Sequence, residues 1–320
     1  MNIQLLVYSC TLHQLAPHPP LTGRDFLRVD DLTTDELVAV LELADELKAL
    51  QAERTPHELL PGRTLGMIFQ KASTRTRVSF EVGMTQLGGS SVHLSAAEMQ
   101  LGRGETIADT GKVLSRYLDA IMIRANSHAD VEELAAAAEV PVINGLTELH
   151  HPCQALADVM TLRERLGELE GRRLAWVGDG HNNVCHSLLT AAGGLGMEIA
   201  VATPPGYEPD PDVVAAAGDV TVLVDPVEAV AWAEAVATDV WTSMGQEQER
   251  DRRLADLAPY QVNPALLGHA HPHHVVLHCL PAHYGEEITH DVLHGPGSAA
   301  WDEAENRLHA QKALLALLVP

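Results

Sequence analysis

Thr64-Leu65-Gly66-Met67-Ile68-Phe69-Gln70-Lys71-Ala72-Ser73-Thr74-Arg75-Thr76-Arg77 changes character at Phe69, where an apolar run gives way at once to polar residues. A short apolar run bounded by such a turn reads as a buried strand. Apolar spacing returns in a helix that begins near Thr76 and runs to about Leu87, where Gly88-Gly89 closes it. Strand, polar turn and helix in that order form the opening of a parallel α/β unit.

The same grammar continues on both sides. Upstream, periodic apolar residues from Leu32 to about Leu50 predict a helix that Thr33 or Thr34 can cap. Downstream, Glu105 to Leu118 reads as an amphipathic helix, and Ala120 to Ile123 as a strand ending at Arg124. Val140 to Ile143 reads as a strand ending at Asn144-Gly145. The second half repeats the pattern. Arg173–Val177 is a strand, Gly178-Asp179-Gly180 a turn and Asn183–Ala192 a helix. Glu198–Ala202, Val236–Trp241 and Val275–Cys279 are further strands. Alternation of this kind implies parallel sheets with crossover helices.

A chain of 320 residues suits two cores better than one. The expected fold is therefore α/β with two domains, each a mainly parallel sheet flanked by helices, joined by interdomain helices. Residues 1–20 read as an N-terminal extension, 21–155 as the first domain and 156–302 as the second. Residues 303–320 form a last helix expected to pack back on the first domain. The helix after Pro152 is the expected connector.

Composition narrows the partners. Lys and Arg total 21 against 44 Asp and Glu, a net charge of −23. Such a surface repels phosphate backbones and anionic lipid, so neither nucleic acid nor membrane is expected. Any site for an anionic small molecule must then be built from a few placed cations. Cys10, Cys153, Cys185 and Cys279 show no CxxC spacing, which fits reduced thiols in a cytoplasm. No apolar run reaches the roughly 18 residues of a membrane helix. The N-terminal stretch lacks basic residues ahead of its apolar part and makes a poor signal peptide.

In open parallel sheets ligands sit beyond the C-terminal ends of strands, and several polar clusters fall there. Ser73-Thr74-Arg75-Thr76-Arg77 opens a helix, where backbone N–H groups, hydroxyls and a guanidinium can cradle a phosphate. The same residues also read as a capped helix with exposed arginines. Arg124 ends a strand. His150-His151-Pro152-Cys153-Gln154 could hydrogen-bond a carbonyl and an amide, or simply start a helix. Gly178-Asp179-Gly180-His181-Asn182-Asn183 fails the dinucleotide pattern, because a third glycine and the following acidic residue are missing. The histidines at 269, 271, 273 and 274 lie in a Pro-containing stretch without carboxylate or cysteine at ligand spacing, and read as a solvated loop.

Taken together, Phe69-Gln-Lys-Ala-Ser-Thr-Arg-Thr-Arg-Val-Ser-Phe-Glu81 resembles the carbamoyl phosphate signature of the aspartate and ornithine carbamoyltransferases. His151-Pro-Cys-Gln154 resembles their HPxQ element, and Gln100-Leu-Gly-Arg-Gly-Glu105 a loop of the ornithine branch. Asp239-Val-Trp-Thr-Ser-Met-Gly-Gln-Glu247 is similar to the ornithine-specific loop, and His278-Cys-Leu-Pro281 to the HCLP element. Glu305-Asn-Arg307 also fits. These motifs occur in order from about Leu21 to the C-terminus.

The resemblance implies transfer of a carbamoyl group from carbamoyl phosphate to the δ-amine of L-ornithine, giving L-citrulline and phosphate in arginine metabolism. It implies that Ser73, Thr74, Arg75 and Thr76 bind phosphate, with Arg75, Arg124 and Arg307 balancing its charge. Arg124, His151 and Gln154 would hold the carbamoyl group, and Gln100 would reach into a neighbouring subunit of a homotrimer or multiple of trimers with shared active sites. Asn183, Asp239, Ser243 and Met244 would bind ornithine, with Cys279 and Leu280 lining the reaction centre. Arg124, His151, Asp239 and Cys279 would be catalytic, and neither cofactor nor metal would be needed. A sibling enzyme for aspartate, putrescine or an acylated ornithine is the alternative. Where relatives often place an arginine after HCLP, this chain has Ala282-His283-Tyr284, and at Cys153 a threonine is common.

Overall fold

The computed structural model describes residues 16, 18, 19, 21–100, 104–242 and 247–320. Strands β1 (Thr64–Phe69), β2 (Ser90–Ser95), β3 (Ala120–Arg124) and β4 (Val142–Leu146) form one sheet in the order β2-β1-β3-β4. Strands β5 (Arg173–Val177), β6 (Glu198–Ala202), β7 (Val220–Leu223), β8 (Ala235–Thr238) and β9 (Val275–His278) form a second in the order β7-β6-β5-β8-β9. All pairings within both sheets are parallel. The α/β class with two parallel sheets is as the alternation implied.

Around the first sheet lie α1 (Thr34–Ala52), α2 (Thr74–Gln86), α3 (Ile107–Leu114) and α4 (His128–Ala137). Helix α5 (Pro152–Leu166) follows, then α6 (Asn183–Gly194), α7 (Pro211–Ala217) and α8 (Pro226–Trp232). The series ends with α9 (Arg250–Leu257), α10 (Pro264–Leu267), α11 (His290–Leu293) and α12 (Ala300–Leu318). Local chemistry sets their starts. Thr33 and Glu36 form a reciprocal capping box on α1, Ser73 caps α2 and Asn182 caps α6. Pro152 occupies the first turn of α5, where its missing N–H costs nothing.

Helices α5 and α12 knit the two sheets. Residues 152–162 of α5 are buried on every side, and α12 packs against α5, α1 and α2. Leu156, Val159 and Leu314 belong to one continuous core with Leu65 and Met67 of the first sheet and Leu174 and Trp176 of the second.

In each sheet the strand order reverses beside the strand that comes first in sequence, between β1 and β3 and between β5 and β8. Such a reversal opens a crevice at the strand C-termini. In the first sheet Phe69 and Arg124 lie side by side at that edge, and in the second Thr238 lies beside His278. The polar turns that follow these four residues are therefore delivered to the same end of the molecule.

Several boundaries differ from the sequence expectation. Helix α2 starts at Thr74 rather than near Thr76, because the Ser73 hydroxyl already serves as its cap. Helix α3 starts at Ile107, where Thr106 caps it, and stops at Leu114. Strand β4 runs through Asn144-Gly145 instead of ending there, and β8 stops at Thr238, short of Trp241. Strands β2 and β7 were not expected. Both are sheet edges with mostly exposed or half-buried residues, so they lack the buried apolar run that marks the central strands.

Candidate active site

Ser73, at the mouth of β1, turns the chain into α2. Its hydroxyl accepts from the Thr76 amide at 3.4 Å and donates to Thr76 Oγ1 at 3.1 Å. Thr76 is buried while Thr74 and Arg75 remain exposed, so the first turn of α2 presents N–H groups and a guanidinium outward. Arg75 donates to the carbonyl of Leu280, which ties this turn to the end of β9.

Arg124 ends β3 buried at 8% exposure, with its Nε lacking any partner among the described residues. Arg307 rises from α12, donating to Gln154 Oε1 at 2.8 Å and to Thr76 Oγ1 at 3.3 Å. Turned to satisfy both its ends, the Gln311 amide accepts from Arg307 Nη2 and Nε at 2.9 and 3.1 Å. Burial, with the charges of Arg307 and Arg75 adding to it, brings Arg124 down to about 10; it stays cationic at neutral pH. Burial likewise lowers Arg307. Three guanidiniums thus converge, and none makes an ion pair with a carboxylate among the described residues. Like charges held together without counter-ions form an anion site.

His151 precedes Pro152 at the start of α5, its backbone N–H donating to Ser187 Oγ at 2.8 Å. Its ring Nδ1 is buried without a partner. Burial, then the charges of Arg307, Arg124 and Arg75, holds its pKa well below the ordinary value, so the imidazole is neutral. A neutral ring keeps one N–H for a ligand oxygen. Gln154, one turn along α5, accepts from Arg307 and donates to Asp158 and Glu303.

The second sheet contributes Asp239, just beyond β8, and Cys279, just beyond β9. Asp239 accepts from Asn182 Nδ2 at 3.0 Å and from the Cys279 thiol at 3.1 Å. Burial, then Asp239 and Glu303, pushes the Cys279 thiol well up, so its proton stays on sulfur. His278 orients this turn. Its Nδ1 accepts from the Leu280 amide at 2.9 Å, leaving Nε2 to donate to the buried Glu287 at 3.1 Å. Leu280 sits at φ 57°, a left-handed conformation costly for a branched residue and held here by its bonds to His278 and Arg75.

Of the expected site residues, Ser73, Thr76, Arg75, Arg124, His151, Gln154, Leu280 and Arg307 are brought together, and Asp239 with Cys279 adjoins them. Asn183 spends its side-chain N–H₂ on the Thr147 carbonyl at 2.5 Å. Gln100 is exposed and takes no part in this network. Ser243 and Met244 lie outside the described residues. Cys153 is a core thiol beside the site, within electrostatic reach of Arg307; it donates to the Asn144 carbonyl of β4, and burial pushes it up to about 12. Sequence reasoning passed over Asn182, Asp158 and Glu303. Asn182 carried a cap signal just before α6, and Asp158 is the lone carboxylate in an otherwise uncharged run of α5.

Residues 24–164 match the carbamoyl-P binding domain of aspartate/ornithine carbamoyltransferases, and residues 170–318 match their Asp/Orn binding domain. The chain is 57% identical over 300 residues to the ornithine carbamoyltransferase of Methanoculleus marisnigri, covering 92% of this chain and 97% of that one. It is 55% identical over 307 residues to the anabolic ornithine carbamoyltransferase of Pyrococcus furiosus, covering 93% and 97%. A solved ornithine carbamoyltransferase from Pyrococcus furiosus superposes with a TM-score of 0.91 at 54% identity, covering 94% of this chain and 98% of that one. The Thermus thermophilus enzyme follows at 0.85 and 45%, covering 92% and 99%.

Proposed function

The chain belongs to the aspartate/ornithine carbamoyltransferase family, and on that premise we propose that it transfers the carbamoyl group of carbamoyl phosphate to the δ-amine of L-ornithine, releasing L-citrulline and phosphate. The observation that carries this reading is the convergence of Arg75, Arg124 and Arg307, free of carboxylate partners, in a chain of net charge −23. So acidic a protein holds bare cations together only where an anion is to bind.

Phosphate lies at the first turn of α2, taking the backbone N–H groups, the hydroxyls of Ser73, Thr74 and Thr76, and the charge of Arg75 and Arg307. The carbamoyl oxygen points to Arg124 and His151. Attack by the amine builds negative charge on that oxygen, and each preorganised donor is worth on the order of 3 kcal/mol there. Gln154 receives the carbamoyl amide.

The attacking amine must shed a proton, since such amines are protonated at neutral pH. Asp239 supplies a carboxylate acceptor for ornithine's ammonium groups, and Asn182 and Cys279 fix its direction. Cys279, held as a neutral thiol, orients rather than removes the proton. An aspartate substrate would set its own carboxylate against Asp239, which favours ornithine over that sibling. Asn183, Ser243 and Met244 complete the amino-acid side of the site, and Leu280 lines the reaction centre.

The wider organisation follows the same reading. Residues 21–155 bind carbamoyl phosphate, residues 156–302 bind ornithine, and 303–320 return to the first domain. Gln100, exposed in one subunit, serves the site of its neighbour in a homotrimer. The enzyme acts in the cytoplasm; no helix among the described residues is long and apolar enough to cross a membrane.

The test is turnover by the purified protein with carbamoyl phosphate and ornithine, run beside aspartate, putrescine and an N-acylated ornithine. Citrulline from ornithine alone is the expected result. Product from another amine in preference would replace ornithine as substrate, and phosphate release with none of them would defeat the reading.

A further inference from the structure

Behind Gln154 lie two carboxyl groups, Asp158 at 2% and Glu303 at 1% exposure, for which the transfer reaction has no direct use. Asp158 sits one turn along α5 from Gln154, and Glu303 enters from α12. The two hydrogens of Gln154 Nε2 go one to each, 2.8 Å to Asp158 Oδ1 and 2.9 Å to Glu303 Oε1. Glu303 Oε2 accepts from the backbone N–H of His278 at 2.8 Å. Neither carboxyl makes an ion pair among the described residues, because the nearby Arg307 spends its hydrogens on Gln154, Thr76 and Gln311.

We propose that Asp158 and Glu303 share a single proton, and that this pair is a positioning unit which aims the Gln154 oxygen at Arg307 and at the N–H₂ of carbamoyl phosphate. The proposal rests on the functional reading above. Two anions within reach of one amide nitrogen, buried and without an ion-pair partner among the described residues, cannot both persist. One proton between them leaves a single negative charge, to which the two Gln154 hydrogens and the His278 N–H are directed. Burial raises Asp158 to about 7, against the lowering hydrogen bonds of Gln154 and Glu303, and burial with the neighbouring Asp158 holds Glu303 well above the ordinary carboxylate range. The charged and titratable groups facing the pair are Arg307 from α12, Asp239 from beyond β8 and Cys279 from beyond β9.

The consequence lies in the orientation of Gln154. With an acceptor pair behind it, its N–H₂ must face inward, so its oxygen faces Arg307 and keeps one lone pair for a donor. A carbamoyl group offers such a donor in its N–H₂. Reversing the amide would set N–H₂ against the Arg307 guanidinium and leave the substrate amide unpaired. The pair therefore acts through Gln154, without touching substrate itself.

Asp158→Asn and Asp158→Ala separate the possibilities. The asparagine replaces the shared proton with an amide hydrogen directed at Glu303 and still accepts from Gln154, keeping one negative charge. It should bind carbamoyl phosphate within a few-fold of wild type by calorimetry. The alanine leaves a Gln154 hydrogen unpaired and should lose roughly tenfold or more. Inorganic phosphate, which has no N–H₂ for Gln154 to accept from, should lose less than carbamoyl phosphate does in the alanine variant, whereas a general structural defect would lower both in parallel. In wild type at neutral pH, difference infrared spectra should show a buried carboxylic-acid carbonyl band that Asp158→Asn abolishes, a readout that stands even where the alanine variant fails to fold.

The proposal is overturned by absence of that band, by equal loss in the asparagine and alanine variants, or by an alanine variant that binds as wild type does. A parallel fall in phosphate binding would reduce the pair to scaffolding and overturn it as well. Wild type that shows the band yet forms no citrulline would instead refute the functional reading, leaving the shared proton in place.

Discussion

Arg124 leaves the end of β3 with its guanidinium buried, one nitrogen unpartnered and two other arginines nearby, an arrangement that repels itself until an anion arrives. Arg124→Leu should therefore fold, since it removes repulsion rather than an ion pair. It should lower kcat/KM by about 10²–10³, the usual loss for an oxyanion donor, with the fall in kcat rather than in KM for ornithine. Steady-state kinetics decide this, and an unchanged kcat would remove Arg124 from the reaction centre. At this scale the sequence was informative where a motif combined with a strand end, as at Ser73–Arg77, Arg124 and His151. It was silent about the pairing of Asn182 with Asp239 and of Glu303 with Gln154, partners 57 and 149 positions apart. Nothing local marks a side chain whose meaning depends on a residue brought beside it by the fold.

Elements were legible where both faces are buried. The six residues of β1 and the five each of β5 and β6 were bounded as they stand, because their apolar runs have abrupt polar ends. Strand β2, Ser90-Ser-Val-His-Leu-Ser95, is an edge whose mixed residues satisfy water on one side, and no periodic signal distinguishes it from a loop. Helix packing added constraints that no pattern announces. Gly193 on α6 meets α7 so closely that a Cβ there would stand 1.9 Å from the carbonyl oxygen of Ala217. Backbone meets backbone at that point, and no rotamer change relieves it. Gly193→Ala should cost about 3 kcal/mol in urea unfolding, within the range for overpacking. A loss below a few tenths would mean that α6 and α7 are not docked this closely.

Across the whole molecule, one core runs from the first sheet through α5 and α12 into the second, so the two strand-end crevices are held at a common face. The α/β class and two sheets followed from alternation and length; the way α12 closes the core depended on packing that the sequence only suggested. That burial also sets pH behaviour. His150, 8% exposed, is lowered to about 3 by burial, and the neighbouring His128 adds to this. Its folded pKa is thus below the unfolded value of about 6.5. The unfolded chain takes up a proton that the fold refuses as pH drops between those values, so the contribution of His150 is present above about 6.5 and lost below it. The stability advantage of wild type over His150→Gln should accordingly shrink from pH 7 to pH 4.5 in paired thermal melts; a widening gap would mean that the folded state protonates this ring. Transfer of a carbamoyl group to the δ-nitrogen of ornithine is tested by nuclear magnetic resonance of the product formed from ¹³C-labelled carbamoyl phosphate and δ-¹⁵N-labelled ornithine. A labelled ureido carbon coupled to the δ-nitrogen is expected, with one phosphate released per citrulline, whereas a labelled carbon without that coupling, or phosphate released without labelled product, would rule this transfer out.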